Sequence, residues 1–282
     1  MARMHYAWVV AGVAFATLVA AAAFRAAPGP MMVPLHEAGW SIVTMSAAVS
    51  VNLVLYGLTA PFAAALMERF GLRRVVSTGL LLIAAGSGLS ALAGAAWQLV
   101  LTWGVLIGLG TGSMALVFAA TVANAWFVKR RGLVMGILTA GGAAGQLVFL
   151  PVVAYLVEAT SWKIASLLIA AAAVAVLPLV VVLLHDRPAD LGLAPYGGDR
   201  LVAPPSPVRG NAAGLALAAL RQAASTKPFW ALAGAFAICG ATTNGLIGIH
   251  FIPSAHDHGM ATTTAAGLLM LVGVFDIVGT VA

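Results

Sequence analysis

Ionic groups are what this chain has least of. Asp, Glu, Lys and Arg make up 8% of its 282 residues, where a soluble domain carries about 25%. A deficit that deep excludes a water-soluble fold, because no core could hide the 62% of residues that are hydrophobic. Cysteine occurs once, as Cys239 inside an apolar run, so an intramolecular disulfide is excluded and a structural metal site has little to build on. There is no Asn-x-Ser/Thr acceptor, so glycosylation marks neither face. Gly-x-Ser-x-Gly, His-Glu-x-x-His and paired aspartates are missing too, and an intramembrane enzyme would need one of them. No catalytic activity and no cofactor are expected.

Long apolar runs are what the chain does have, and its mean hydropathy is +1.04. The organising stretch is Leu66-Met67-Glu68-Arg69-Phe70-Gly71-Leu72-Arg73-Arg74, a knot of charge and glycine between residues 43–65 and 75–93. Neither flanking run holds a charged residue, and each suffices to cross a hydrocarbon core of about 30 Å, which takes roughly 20 helical residues. The same criterion places spans near residues 7–34, 43–66, 75–94, 97–126, 132–157, 163–184, 228–255 and 262–282. Met1-Ala2-Arg3 followed by an alanine-rich run imitates a signal peptide. The run continues past Arg25 to Leu35, however, and further spans follow, which marks it as the first membrane helix.

The loops alternate sides. One side collects Arg3, then Arg69, Arg73 and Arg74, then Lys129, Arg130 and Arg131, then Arg187, Arg200, Arg209, Arg221 and Lys227. The other keeps Lys163, while Arg25 lies inside a span. This asymmetry predicts a multi-pass protein of the plasma (inner) membrane with a cytoplasmic N-terminus. It also explains the net charge of +6 without a nucleic-acid partner, because the cations sit in short clusters between apolar runs. Residues 185–227 break the pattern: Pro188, Pro204, Pro205 and Pro207 cannot continue a helix, although residues 211–224 could form a short one on the membrane surface. The expected layout is an all-α polytopic protein. It has a six-helix bundle over 1–184, a cytoplasmic linker over 185–227, and the first two helices of a second bundle over 228–282. Two spans after a central linker do not match the six before it, as in a chain cut short.

With six spans, a long linker and the basic loop after span two, the chain resembles the major facilitator superfamily of secondary transporters. The loop signature of that family reads Gly-x-Leu-Ala-Asp-Arg-x-Gly-Arg-Lys/Arg. It is met here by Ala64, Leu66, Met67, Glu68, Arg69, Gly71, Leu72 and Arg73, with Arg74 following. Ala64 replaces the glycine, Glu68 the aspartate, and Leu72 a basic position. The resemblance implies that Glu68, Arg69, Gly71, Arg73 and Arg74 act as a conformational latch against the other half. Within the superfamily the chain looks most like the monocarboxylate and oxalate–formate porters. That likeness is carried by Trp8-Val9-Val10, Gly39-Trp40-Ser41, the run from Asn124 through Trp126-Phe127-Val128-Lys129-Arg130-Arg131-Gly132 to Gly136, and Arg187-Pro188-Ala189-Asp190-Leu191-Gly192. It implies alternating access, with a small organic anion moved alongside a proton or exchanged for a counter-substrate.

Polar residues inside spans carry the functional reading, because an ion at mid-bilayer costs about 2.5–3.5 kcal/mol on the insertion scale. Arg25, close to where carboxylate porters carry a lysine, could clamp a carboxylate through two parallel hydrogen bonds; the plainer reading is a side chain snorkelling to headgroups. Asp276 matches an aspartate of those porters, but the arginine they carry one turn later is Thr280 here. Asp276 could carry a proton or act as a structural hydrogen-bonding partner. Tyr56, one turn from Asn52, and Asn244 and His250 complete the candidate set; Asn124, Thr139 and Gln146 are weaker. His256, Asp257 and His258 read as a solvated turn rather than a metal cluster. The glycines at 104, 108 and 112 and at 141 and 145 read as close-packing faces, not as a dinucleotide loop, since they lie mid-helix. A drug or sugar porter of the same fold and a non-transporting fragment are the rival readings.

Overall fold

The computed structural model describes residues 5–198 and 212–281. Among these, seven helices are long and apolar enough to cross a membrane: Tyr6–Glu37, Ile42–Phe70, Leu72–Ser90, Ala96–Trp126, Arg131–Ala159, Trp162–Leu183 and Lys227–Asp257. An eighth helix, Thr262–Val281, follows. These are spans one to eight, and their order matches the apolar runs. Among the described residues the one isolated extended pairing joins Phe127 to Tyr196. The loops rich in cations, after spans two and four, share one end of the bundle (the basic end); Trp40, Ser161 and His258 lie at the far end.

Span one is not the single rod that its hydropathy suggests. It is two half-helices, Tyr6–Arg25 and Pro28–Glu37, interrupted at Ala26-Ala27. Pro28 and Pro30 offer no N–H to the turn before them, so the first helix closes on Arg25 and a second starts with proline in its first turn. Span four is interrupted differently. Residues Val100–Leu106 form a widened π turn, the kind of turn in which a backbone carbonyl can be left for a side chain. Asn52 Nδ2 donates to Trp103 O there at 2.7 Å, which ties span two to span four inside the bundle. Span seven widens in the same way over Gly240–His250.

The first six spans enclose a core whose largest buried side chains include Trp103, Trp126, Phe118 and Phe127. Backbones approach one another closely within that core. Gly104, Gly108 and Gly112 all face span two: a Cβ on Gly108 would lie 3.1 Å from Asn52 Cα, and one on Gly112 2.9 Å from Tyr56 O. Gly141 and Gly145 face span one, where a Cβ on Gly145 would lie 2.6 Å from Ala22 Cβ. In lipid no hydrophobic force distinguishes helix–helix from helix–lipid contact, so close approach through small residues is what holds such pairs.

Span eight lies along span five. At the far end, Ile252 of span seven packs with Ala26, Leu150, Ala154, Ala265 and Ala266. Glu158 of span five accepts a hydrogen bond from Thr263 N at 3.0 Å, across to the start of span eight. The helix Ala212–Ala224 packs against span two.

Gly145→Val should drive spans one and five apart, with a loss of about 1–3 kcal/mol typical of overpacking. Thermal unfolding of the purified protein is the readout. Gly12→Ala, whose added methyl meets nothing within 4 Å, should unfold close to the wild-type temperature.

Candidate functional site

The site starts at the break in span one. Arg25 is the last residue of the first half-helix, and a helix C-terminus carries the negative end of the backbone dipole, which favours a cation. That placement offsets part of the cost of an ion at membrane depth. The side chain is half-buried. Its guanidinium carbon lies 5.9 Å from the centre of the Tyr56 ring, within cation–π range. Across from it is Gly142 of span five, whose missing side chain leaves the space that one guanidinium nitrogen occupies.

Arg25 lines two cavities. The smaller, about 150 Å³, lies towards the basic end and is bounded by Tyr56, Thr111, Met114, Thr139 and Gly142 among others. Thr111 and Thr139 each donate at 2.8 Å to a carbonyl of their own helix, those of Ile107 and Met135. Their hydroxyl protons are thus committed, and the Arg25 guanidinium and the Tyr56 hydroxyl are left as the principal donors. The larger cavity, about 300 Å³, lies between the first six spans and spans seven and eight. Asn52, Gln146, Cys239 and Thr243 supply its polar lining beside Arg25, and the rest is mainly apolar. The guanidinium therefore stands in the partition between the two spaces.

Of the residues singled out in the sequence, Arg25 and Tyr56 come together. Asn52 lines the larger cavity, but its amide is taken by Trp103 O. Thr139 falls on the smaller cavity and Gln146 on the larger, so they do not share one space. His250 is exposed and lines neither cavity, and Asn124 is exposed near the basic end. The side chains of Asn244 and Asp276 lie outside the described residues. At the far end His258 pairs through Nδ1 with Ser254 O at 2.8 Å. Gly142 went unnoticed in the sequence. Its one signal was standing beside Gly141, as a second glycine that packing with span one does not require.

The basic loop has its own geometry. Gly71 adopts φ +90°, a conformation suited to glycine, and a Cβ there would run into the Asp186 carboxylate. Asp186 accepts from Arg73 N at 2.8 Å, placing an anion at the N-terminus of span three where free N–H groups and the helix dipole welcome it. Arg69 lies over Phe70 at 5.1 Å, while Glu68, Arg73 and Arg74 are exposed. The chain after span six then doubles back. Tyr196 N donates to Trp126 O at 2.8 Å, and Val128 N and Lys129 N donate to Tyr196 O at 3.0 and 3.2 Å. Trp8, Phe127 and Tyr196 stack edge-on around this join, and Tyr6 Oη donates to Leu183 O at 3.0 Å.

Comparison with known proteins bears on this arrangement. The family model described as Major Facilitator Superfamily matches residues 13–282. Among curated proteins, monocarboxylate transporter 11 of Mus musculus is 30% identical, over 96% of this chain and 57% of its own length. Monocarboxylate transporter 13 of Bos taurus is 28% identical, over 83% of this chain and 50% of its own. An MFS-type transporter of Gibberella zeae is 35% identical over a shorter stretch, 36% of this chain and 22% of its own length. The chain spans about half the length of the monocarboxylate transporters it matches.

Removing the anion at span three should loosen the basic loop. Asp186→Ala is expected to lower stability by about 0.5–2 kcal/mol, the range for a lost helix N-cap, and Gly71→Ala to do so through strain at positive φ. Thermal unfolding of each variant checks this, and hydrogen exchange should rise first in residues 69–76.

Proposed function

The chain belongs to the Major Facilitator Superfamily, and on that footing we propose that it forms the cation-bearing half of a secondary carrier for a small organic anion. The observation that carries the reading is the Arg25 guanidinium, held over Tyr56 in the partition between two cavities. Guanidinium offers two parallel N–H donors that match a carboxylate, and charge-assisted pairs of this kind are about twice as strong as neutral ones. Such a pair gains further where water is thin. An anion bound there neutralises the cation, so loading cargo relieves the cost of carrying the charge through the bilayer.

Transport proceeds by alternating access. The two bundles rock about the partition, exposing Arg25 first to one side and then to the other. The basic end faces the cytoplasm of the inner membrane, a placement that the cation asymmetry of the loops supports. Asp276, with Asn244 and His250 on span seven, supplies the coupling groups that accept a proton or meet a counter-anion. Glu68, Arg69, Gly71, Arg73 and Arg74 form the conformational latch. Asp186 sets the shape of that loop, so that its arginines are presented to the second bundle.

Uptake of labelled mono- and dicarboxylic acids into vesicles holding the full-length gene product tests this. Arg25→Ala should raise the KM for the carried acid by roughly ten- to a hundredfold, the equivalent of about 1.5–3 kcal/mol for a hydrogen bond to a charged group. Asp276→Asn should abolish the response of uptake to an imposed pH or counter-anion gradient while leaving binding in place. Wild-type uptake by both variants would overturn the site, and transport of a sugar or a cationic drug in place of any acid would overturn the cargo class.

A further inference from the structure

Span five carries two adjacent glycines with different tasks. Gly141 packs against Phe15 and Leu18 of span one, whereas Gly142 meets nothing but the Arg25 guanidinium. A methyl group on Gly142 would lie 2.8 Å from the terminal guanidinium nitrogen Nη2 and 4.0 Å from the guanidinium carbon Cζ. The first separation is too close for carbon and nitrogen, while the second is ordinary contact. The conflict thus involves the outer tip of the fork and not its stem.

We propose that Gly142 is a positioning residue whose missing side chain allows an arginine, rather than a lysine, to serve as the cation of this site. The proposal rests on the carboxylate-binding reading of Arg25. Counted from the backbone, the ammonium nitrogen of a lysine falls where Cζ of an arginine sits, so a lysine ends before the space above residue 142 is reached. An arginine needs that space for the second arm of its fork, and the fork is what makes recognition of a carboxylate planar and two-pronged. The atom in conflict is the end of a flexible chain, so a methyl at 142 displaces the fork without unfolding the helix pair. Displacement carries the rigid fork away from its place beside Tyr56, so that its two donors no longer meet a carboxylate together. The residue at 142 and the cation at 25 are therefore a matched pair: glycine with arginine, a small side chain with lysine.

The test is a four-cornered comparison in the full-length protein of wild type, Gly142→Ala, Arg25→Lys and the double variant. Gly57→Ala serves as control, because its added methyl meets nothing within 4 Å. The first readout is uptake of whichever of labelled acetate, lactate and oxalate the wild type carries. Gly142→Ala alone should raise KM about tenfold with Vmax kept, as loss of one arm of a charged pair would. In the Arg25→Lys background the same change should leave KM where it was. A fall in Vmax at constant KM, an equal KM rise in both backgrounds, or no rise at all would overturn the proposal. The second readout is the melting temperature of the four purified proteins, which is independent of cargo. Gly142→Ala should shift it differently with arginine than with lysine at 25, beyond the shift seen for Gly57→Ala, and equal shifts would overturn the pairing. If the wild type carries none of the three acids, the cargo reading fails by itself, and the melting temperatures still decide whether residue 142 places the cation.

Discussion

A guanidinium cannot shed its charge, and in a bilayer it cannot retreat far without water. Much of this chain can be understood as accommodation of that one group. The half-helix before Arg25 ends on it, so the backbone dipole faces the cation with its negative pole. Tyr56 supplies the face of an aromatic ring, and Gly142 supplies room. Each contribution is small, worth about 1 kcal/mol or less at a partly exposed site. Together they hold the charge in place without cancelling it.

The walls follow from the same economy of space. Gly104, Gly108 and Gly112 bring span four so close to span two that their backbones touch, and Gly145 does this for spans one and five. The chosen faces leave residues on the remaining sides of spans two, four and five free to line a cavity. Tyr56 illustrates the division: its backbone is packed against Gly112, while its ring turns to Arg25. The rivet from Asn52 to Trp103 O serves a similar end, fixing spans two and four beside the partition with a polar contact that lipid cannot compete for.

The order and approximate ends of the long apolar helices were legible in the sequence because hydrocarbon imposes one simple requirement on composition. Arg25 was legible for the same reason, as a lone charge in an apolar run. The break beside it was not, although Pro28 and Pro30 were in plain view: hydropathy counts how greasy a residue is and takes no account of a missing N–H. Gly142 was hidden by its neighbour, since a double glycine in a membrane helix already has a sufficient explanation in packing. Asp186 was out of reach for a different reason. It lies 113 residues from Arg73, whose N–H it accepts, and in the sequence no periodicity or spacing ties it to the basic loop.

The return of the chain to Tyr196 has a mechanical meaning. The chain leaving span six forms a strap that does not hang from the end of that helix alone. Here the strap is first stitched to the backbone of residues 126–129 and bedded among aromatic rings. The strap is therefore anchored at the corner between spans four and five as well as at the end of span six. Span five is also the one that carries Gly142 and lies along span eight, so the tether and the cation's socket are mounted on the same beam.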